Sequence, residues 1–290
     1  MFGEIWKEAL NSETLDDFIE NKDKKYLFAF LDILGYSNKI KVKAAEDYLE
    51  SFIVDVMALQ EDYVPQALNR VRNKDGLVAQ VKTMIFSDSF CLYWEIGDYA
   101  DNEENISENE FQQLFEDVVD FVCDIQCSAL NNNILFRGAF SVGRHYMYKN
   151  VTVSEALVKA HDIESYHIKY PRIGLDTRQE NEFLNNPDFI VKLIKENRMK
   201  KEDSILYIDY LQLFRRISTW HPYNKIAECL IIENNKKCYL ENINLISNDK
   251  TIDEEKKKHI LDKYRWLRKY HNMKCNELGY SNLLLEETIE

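Results

Sequence analysis

YLFAFLDILGYS, residues 26 to 37, is an almost unbroken apolar run rich in Phe and Leu that stops at Gly35 and Ser37. A run of this kind, closed by turn residues, reads as a strand buried on both faces. Asp32 stands inside it, near the strand's end. An ionised carboxylate in such surroundings is costly unless something compensates it.

Outward from this strand the pattern changes period. Residues 43 to 72 place Tyr48, Phe52, Val56 and Leu59 three or four apart and read as helix. VKTMIFSDSFCLYW, 81 to 94, has two β-prone runs around a short polar SDS, a hairpin pattern with Asp88 at its tip between Ser87 and Ser89. DYADNEENISEN reads as a solvated acidic loop, and Ser107 with Glu110 forms a capping box. Phe111, Leu114, Phe115, Val118, Val122 and Ile125 continue that helix with a 3.6-residue period.

ILFRGAFSVG, 134 to 143, reads as a central strand and 151 to 153 as the start of its partner. Ser154 to Tyr166 then reads as helix and RIGLD, 172 to 176, as strand. The order β-α-β-β-α-β predicts an α+β fold with a ferredoxin-like split sheet. Further on, Ile205 to Tyr210 reads as strand and 211–233 and 253–279 as helices. We therefore expect a core over 1–180 and a C-terminal α/β extension over 181–290 packed on it.

The 290 residues carry 37 basic against 50 acidic side chains, a formal charge of −13. That balance argues against a nucleic-acid backbone as main partner, which needs concentrated Lys and Arg. Nowhere is there an apolar run of the roughly 20 residues a membrane helix requires. Glu4, Lys7 and Glu8 stand where a signal peptide would be apolar, so a soluble, cytoplasmic protein is expected. The six Cys, at 91, 123, 127, 229, 238 and 275, contain no CxxC pair, which disfavours a metal–thiolate site. Cys123 and Cys127 stand four apart and read as small half-buried side chains on one helix face.

In a split sheet the first strand and the hairpin are neighbours, so Asp32 and Asp88 can approach one point although 88 − 32 = 56 positions separate them. Hard divalent cations take oxygen ligands, commonly one or two carboxylates completed by substrate phosphates. The plainer alternatives are a strand-end acid capping the next turn for Asp32 and an ordinary turn Asp for Asp88.

FAFLDILGYS resembles the first-strand motif of class III nucleotidyl cyclases, and SDS within its hairpin resembles that family's second metal-binding segment. RGAFSVG, 137 to 143, and SEALVKAHDIES, 154 to 165, resemble the strand and helix that follow, in family order across 26 to 176. The resemblance implies a homodimer whose active sites form between two head-to-tail domains. It implies a nucleoside triphosphate substrate whose ribose 3′ oxygen attacks the α-phosphorus, releasing pyrophosphate. Two divalent ions, Mn²⁺ or Mg²⁺, would be held by Asp32, Asp88 and the carbonyl of Ile33. Amides of Leu34, Gly35, Tyr36 and Ser37 would cradle phosphate oxygens.

The departures are equally informative. The purine-reading Lys or Glu falls on Met84, the second base-reading position falls near Val151, and the transition-state Asn and Arg fall on Val158 and Asp162. Either the domain is noncatalytic or it reads another base, and retention of both carboxylates favours the latter. The pattern resembles the pyrimidine cyclases of bacterial Pycsar antiphage defence, which implies cyclic UMP or cyclic CMP as product, with UTP favoured as substrate, and a separate effector. A purine cyclase and a noncatalytic binding module are the alternatives. Arg137, Arg144, Lys159 and Lys169 are candidate replacement cations. Arg137 comes first, because Arg in an apolar strand needs an anionic partner, which would otherwise be an acid such as Asp32 or Asp176 in a structural ion pair. His145, His161, His167 and the tyrosines near the site read as packing or solvated residues. EEKKKH, 254 to 259, reads as a solvated helix face, and KYRWLRKYHN, 263 to 272, as an amphipathic helix docking on the core.

Overall fold

A computed structural model describes residues 21–36, 46–72, 75–99, 105–148, 151–178, 186–212, 224–249 and 252–286. Strand β1 (Lys24–Ile33) is followed by helices α1 (Glu46–Ala58) and α2 (Val64–Arg72), the hairpin β2 (Lys82–Phe86) and β3 (Ser89–Asp98), and helix α3 (Glu108–Leu130). Next come β4 (Phe136–Tyr148), β5 (Val151–Ser154), α4 (Glu155–Asp162) and β6 (Ile173–Asp176). The chain continues through α5 (Pro187–Lys195), β7 (Met199–Glu202), β8 (Ile205–Ile208), α6 (Asn224–Asn248) and α7 (Glu254–Leu278).

The sheet runs β2-β3-β1-β4-β6-β8-β7, with β5 paired to β4 off this path. Neighbours among its first four strands run antiparallel, in the split ferredoxin-like order, and β6 joins β4 in parallel. The fold is α+β. β1 is central, and Leu27, Phe28, Ala29 and Leu31 have no exposed surface, as its uninterrupted apolar sequence requires.

Adjacent residues of a strand point to opposite faces, so β4 shows how both faces are covered. Phe140 packs edge-on against Phe115 of α3 at 5.3 Å, whereas the Ser141 hydroxyl donates to the Ala156 carbonyl of α4 at 2.7 Å. Gly143, on the Ser141 face, lets α4 come close, since a Cβ there would stand 2.8 Å from the Ala156 nitrogen. α3 begins at the expected capping box: Ser107 Oγ accepts from the Glu110 amide at 3.3 Å and Glu110 accepts from the Ser107 amide at 2.8 Å.

Strand β8 pairs antiparallel with β6 and β7 with β8, so residues beyond 180 enter the same sheet. The join is tight: a Cβ on Gly174 would lie 2.2 Å from the Leu206 carbonyl oxygen. α7 is anchored by Trp266, which stacks on Tyr170 at 5.4 Å and donates from Nε1 to Glu202 at 2.9 Å. Tyr270 donates to Asp209 at 2.7 Å, and Lys274 pairs with Asp209 at 2.5 Å.

Several boundaries differ from the sequence reading. Of the helix expected over 43–72, the described residues 46–72 are helical throughout, α1 running into α2 through a wider π-type turn at Leu59–Tyr63. Of the helix expected over 211–233, residues 211–212 and those from Asn224 on, in α6, are helical, while 213–223 lie outside the described residues. α5 and β7 were not anticipated, and β7, MKKE, is an edge strand whose charged side chains mask the apolar signal. Cys123 and Cys127 share a face but are fully buried, not half-buried, with both thiols directed at the Tyr210 carbonyl, at 3.6 and 3.9 Å. Among the described residues no helix is long and apolar enough to cross a membrane.

Candidate active site

Asp32 is the penultimate residue of β1, where strand pairing sets Ser89 of β3 on one side and Arg137 of β4 on the other. The Ser89 hydroxyl donates to Asp32 Oδ1 at 3.1 Å. Asp88 occupies the turn between β2 and β3, next to Ser87, whose φ of 54° reverses the chain. The Ile33 amide donates to the Asp88 carbonyl at 3.0 Å, tying the hairpin tip to the end of β1. The two carboxylates are thereby brought together, and each is half-buried.

Burial is the largest cause that raises the Asp32 carboxyl, to about 7, followed by the charges of Asp88 and Glu164. The Ser89 hydrogen bond and the Arg137 charge oppose that rise without cancelling it. The carboxyl is thus held up first by its burial and only then by its acidic neighbours.

A cleft of about 510 Å³ opens over this point, lined by Asp32, Phe86, Arg137, Val158, His161 and Glu164 among others. Arg137 lies in the cleft wall and its guanidinium pairs with Glu164, so its acid partner is Glu164, not Asp32 or Asp176. Asp176 is engaged by Arg178 at 2.6 Å and His167 at 3.2 Å.

Glu164 was missed by sequence reasoning. Its side chain is 3% exposed, and it follows Ala156 and Ala160 at four-residue spacing on the buried face. A lone acid on that face was the available signal.

Other expected residues divide. Arg144 pairs with Asp23 and Glu155, and Lys159 with Glu155, away from the cleft lining. Lys169 is exposed and does not line the cleft. Val158 lines it, so the position aligned with a transition-state Asn carries an apolar side chain.

The phosphate cradle needs correction at Leu34, whose amide donates to the Leu135 carbonyl at 2.8 Å and is unavailable to a ligand. Gly35 has φ of 78°, a turn conformation that L side chains avoid, and space beyond it is open. Tyr36 packs against the core, and Ser37 lies outside the described residues. Met84 is absent from the cleft lining of its own chain; its sulfur accepts from the Thr152 hydroxyl of β5 at 3.5 Å.

No family model matches the chain. No curated protein matches it either. Among solved structures it is similar to the catalytic core of a rhodopsin-guanylyl cyclase with converted specificity in complex with ATPalphaS, at 13% identity and a TM-score of 0.37, covering 64% of this chain and 93% of that one. It is also similar to the guanylyl cyclase Cya2, at 10% identity and a TM-score of 0.36, covering 65% of this chain and 94% of that one. Likeness at this level assigns neither family nor activity, and the chemistry must be read from the chain's own residues.

Among the described residues no group of three or more His, Cys, Asp or Glu side chains is placed to hold a metal. A cation at this point would be held by two carboxylates and would complete its shell with water and phosphate, as Mg²⁺ commonly does. The raised Asp32 carboxyl fits such an ion, because a divalent charge relieves the repulsion between neighbouring carboxylates.

Proposed function

We propose that the protein is a metal-dependent nucleotidyl cyclase that converts a pyrimidine ribonucleoside triphosphate, UTP foremost, to its 3′,5′-cyclic nucleotide and pyrophosphate. The observation that carries this reading is the convergence of Asp32 and Asp88 at one sheet end, where Asp88 helps hold the Asp32 carboxyl up at about 7. The balanced step forms a bond from the ribose 3′ oxygen to the α-phosphorus and breaks the α–β bridge. Pyrophosphate leaves with the bonding electron pair and the 3′ proton passes to water.

Divalent ions, when bound, would favour the 3′ alkoxide and offset charge on the leaving group. Asp32 and Asp88 would hold them, with the Ile33 carbonyl as a further donor. Ser89 orients Asp32 by its hydrogen bond. Amides of the Gly35–Tyr36 turn remain candidates for phosphate contact.

The pyrimidine assignment rests on Met84 and its Thr152 neighbour, which supply neither the cation nor the carboxylate of the purine-reading positions. Sites composed from two copies would explain why Met84 does not line its own chain's cleft. Exposed apolar residues Ile85, Phe86, Val151 and Val153 on the β2–β3 and β4–β5 hairpins suit such an assembly. The product would act on a separate effector, in the manner of an antiphage second messenger.

Incubating the purified chain with each of the four ribonucleoside triphosphates and Mn²⁺, then resolving products by chromatography, tests this. Cyclic UMP is expected, and Asp32→Ala and Asp88→Ala should each abolish it with the fold retained. A cyclic AMP or cyclic GMP product overturns the pyrimidine reading, and absence of any cyclic product overturns the cyclase.

A further inference from the structure

Arg137 and Asp32 stand directly opposite each other on β4 and β1 and both line the cleft, yet they form no ion pair. Opposed residues on neighbouring strands have Cβ atoms about 5 Å apart, well within the reach of an Arg side chain. The guanidinium turns instead to Glu164, which enters from the wide turn Ile163–His167 that extends α4. Glu164 is itself held, since the Ser165 hydroxyl donates to its Oε2 at 2.8 Å. Among the described residues Asp32 is thereby left with the Ser89 hydrogen bond and stays open to a cation.

The contact with Glu164 runs through one edge of the guanidinium. Arg137 Nε is buried and faces Glu164 Oε1, whereas Nη1 and Nη2 keep access to solvent and have no acceptor among the described residues. Other inward arginines are fully engaged. Arg198 pairs with Glu116, Asp120 and Glu196 through all three nitrogens. Arg172 pairs with Glu202 while the rings of Tyr170, Tyr207 and Trp266 pack on it. Arg137 differs in having a fork fixed at one end and free at the other.

Such a fork suits phosphate, whose oxygens accept two parallel N–H bonds from one guanidinium. Among the described residues that line the cleft Arg137 is the one Arg or Lys, and the α4 positions Val158 and Asp162 supply no cation. The fold has no need of charge here, because a buried ion pair is often replaceable by apolar side chains of similar volume without loss of stability. A guanidinium held beside Asp32 but not paired with it therefore points to an anionic ligand.

We propose that Glu164 grips Arg137 by its Nε edge, holding the guanidinium off Asp32, and that the free Nη groups contact the phosphates of the bound triphosphate. Arg137 is then the catalytic cation that α4 lacks, and Glu164 is its positioning residue. This rests on the cyclase reading. A transition state with charge on its equatorial oxygens gains from a donor fixed in advance, which needs no reorganisation as the reaction proceeds.

The test uses the full chain with UTP and Mn²⁺. It compares wild type with Arg137→Lys, Glu164→Met, the double variant Arg137→Met with Glu164→Met, and the exposed control Lys269→Met. A Lys ammonium can neutralise Glu164 or reach a phosphate but cannot do both. Arg137→Lys should therefore lose about 10²-fold in kcat with a thermal midpoint near that of wild type. The double variant removes both charges, so it should also fold, and it should lose about 10³-fold in kcat. Binding of inorganic tripolyphosphate, measured by calorimetry, should weaken in both and not in the control. In Glu164→Met the released guanidinium is free to turn to Asp32, so Mn²⁺ should bind several-fold more weakly than to wild type. The double variant should restore that affinity.

The wild-type rate in the double variant or in Arg137→Lys would overturn the Arg137 proposal and leave the cyclase standing. Tripolyphosphate binding that depends on Arg137, in a wild-type protein that cyclises no nucleotide, would overturn the cyclase and leave the anion contact. Neither turnover nor tripolyphosphate binding in wild type would overturn both. Unchanged Mn²⁺ affinity in Glu164→Met would overturn the positioning role of Glu164. Loss of rate in Arg137→Lys together with a midpoint lowered as far as in Glu164→Met would assign the pair to the fold and overturn its catalytic role.

Discussion

Ser89 Oγ donates to Asp32 Oδ1 across 3.1 Å, and the two residues face each other in register on β3 and β1. The donor is thus built into the strand pairing that carries the acid. It favours the ionised carboxylate, the form a cation needs.

Ser89→Ala should weaken Mn²⁺ binding several-fold at pH 7. A hydrogen bond to a charged group contributes about 1.5–3 kcal/mol, and without it the proton competes more strongly for Asp32. At pH 9, where Asp32 is ionised in either protein, the gap should narrow. Calorimetric Mn²⁺ titrations at the two pH values check this, and equal affinities at pH 7 would remove Ser89 from the site.

Asp32→Asn should stabilise the metal-free protein at alkaline pH. The folded value of about 7 lies above the ordinary 3.8 of an Asp carboxyl, so the folded state binds the proton more tightly than the unfolded chain. This contribution to stability is therefore fully present below about pH 4 and is lost as pH rises through 7. Asn cannot ionise and avoids that loss, which is worth on the order of 2–4 kcal/mol at pH 8. Urea denaturation in EDTA should show the variant ahead at pH 8, with its lead shrinking toward pH 5; a lead that stays constant with pH would refute ionisation of Asp32 as its cause.

Arg137→Met or Glu164→Met alone should each cost roughly 3 kcal/mol, because either leaves the other charge of a largely buried pair uncompensated. The double replacement Arg137→Met with Glu164→Met should recover most of that loss. A double-mutant cycle by chemical denaturation reads the coupling, and simple additivity would mean that the pair contributes nothing.

Gly174→Ala should destabilise the junction between β6 and β8. The added methyl would stand 2.2 Å from the Leu206 carbonyl oxygen and 2.8 Å from the Tyr207 Cα, both backbone atoms with little freedom to move. Overpacking of this kind costs about 1–3 kcal/mol or more. Hydrogen exchange should show the amides of β7 and β8 losing protection before those of β1, and uniform loss across the sheet would contradict a local break.

The elements read correctly from sequence are those whose signal is local. β1 announces itself by an apolar run, the hairpin by SDS between β-prone runs, and α3 by its capping box and helical period. β7 failed because an edge strand need not be apolar. The partner of Arg137 was legible as a requirement, since a cation in an apolar strand needs an acid, but not as an identity. Glu164 lies 27 positions away (164 − 137) and reaches it only through the packing of α4 on β4.

Sequence alone determined that Asp32 closes a buried strand and that Asp88 sits at a hairpin tip. Those are statements about periodicity and residue chemistry, which the chain carries locally. Tertiary structure alone decided that Ser89 faces Asp32, that Glu164 claims Arg137, and that the Leu34 amide is spent on Leu135. Each depends on strand register or helix docking between segments distant in sequence, where the energy comes from burying shared surface and no local pattern records which side chains will meet.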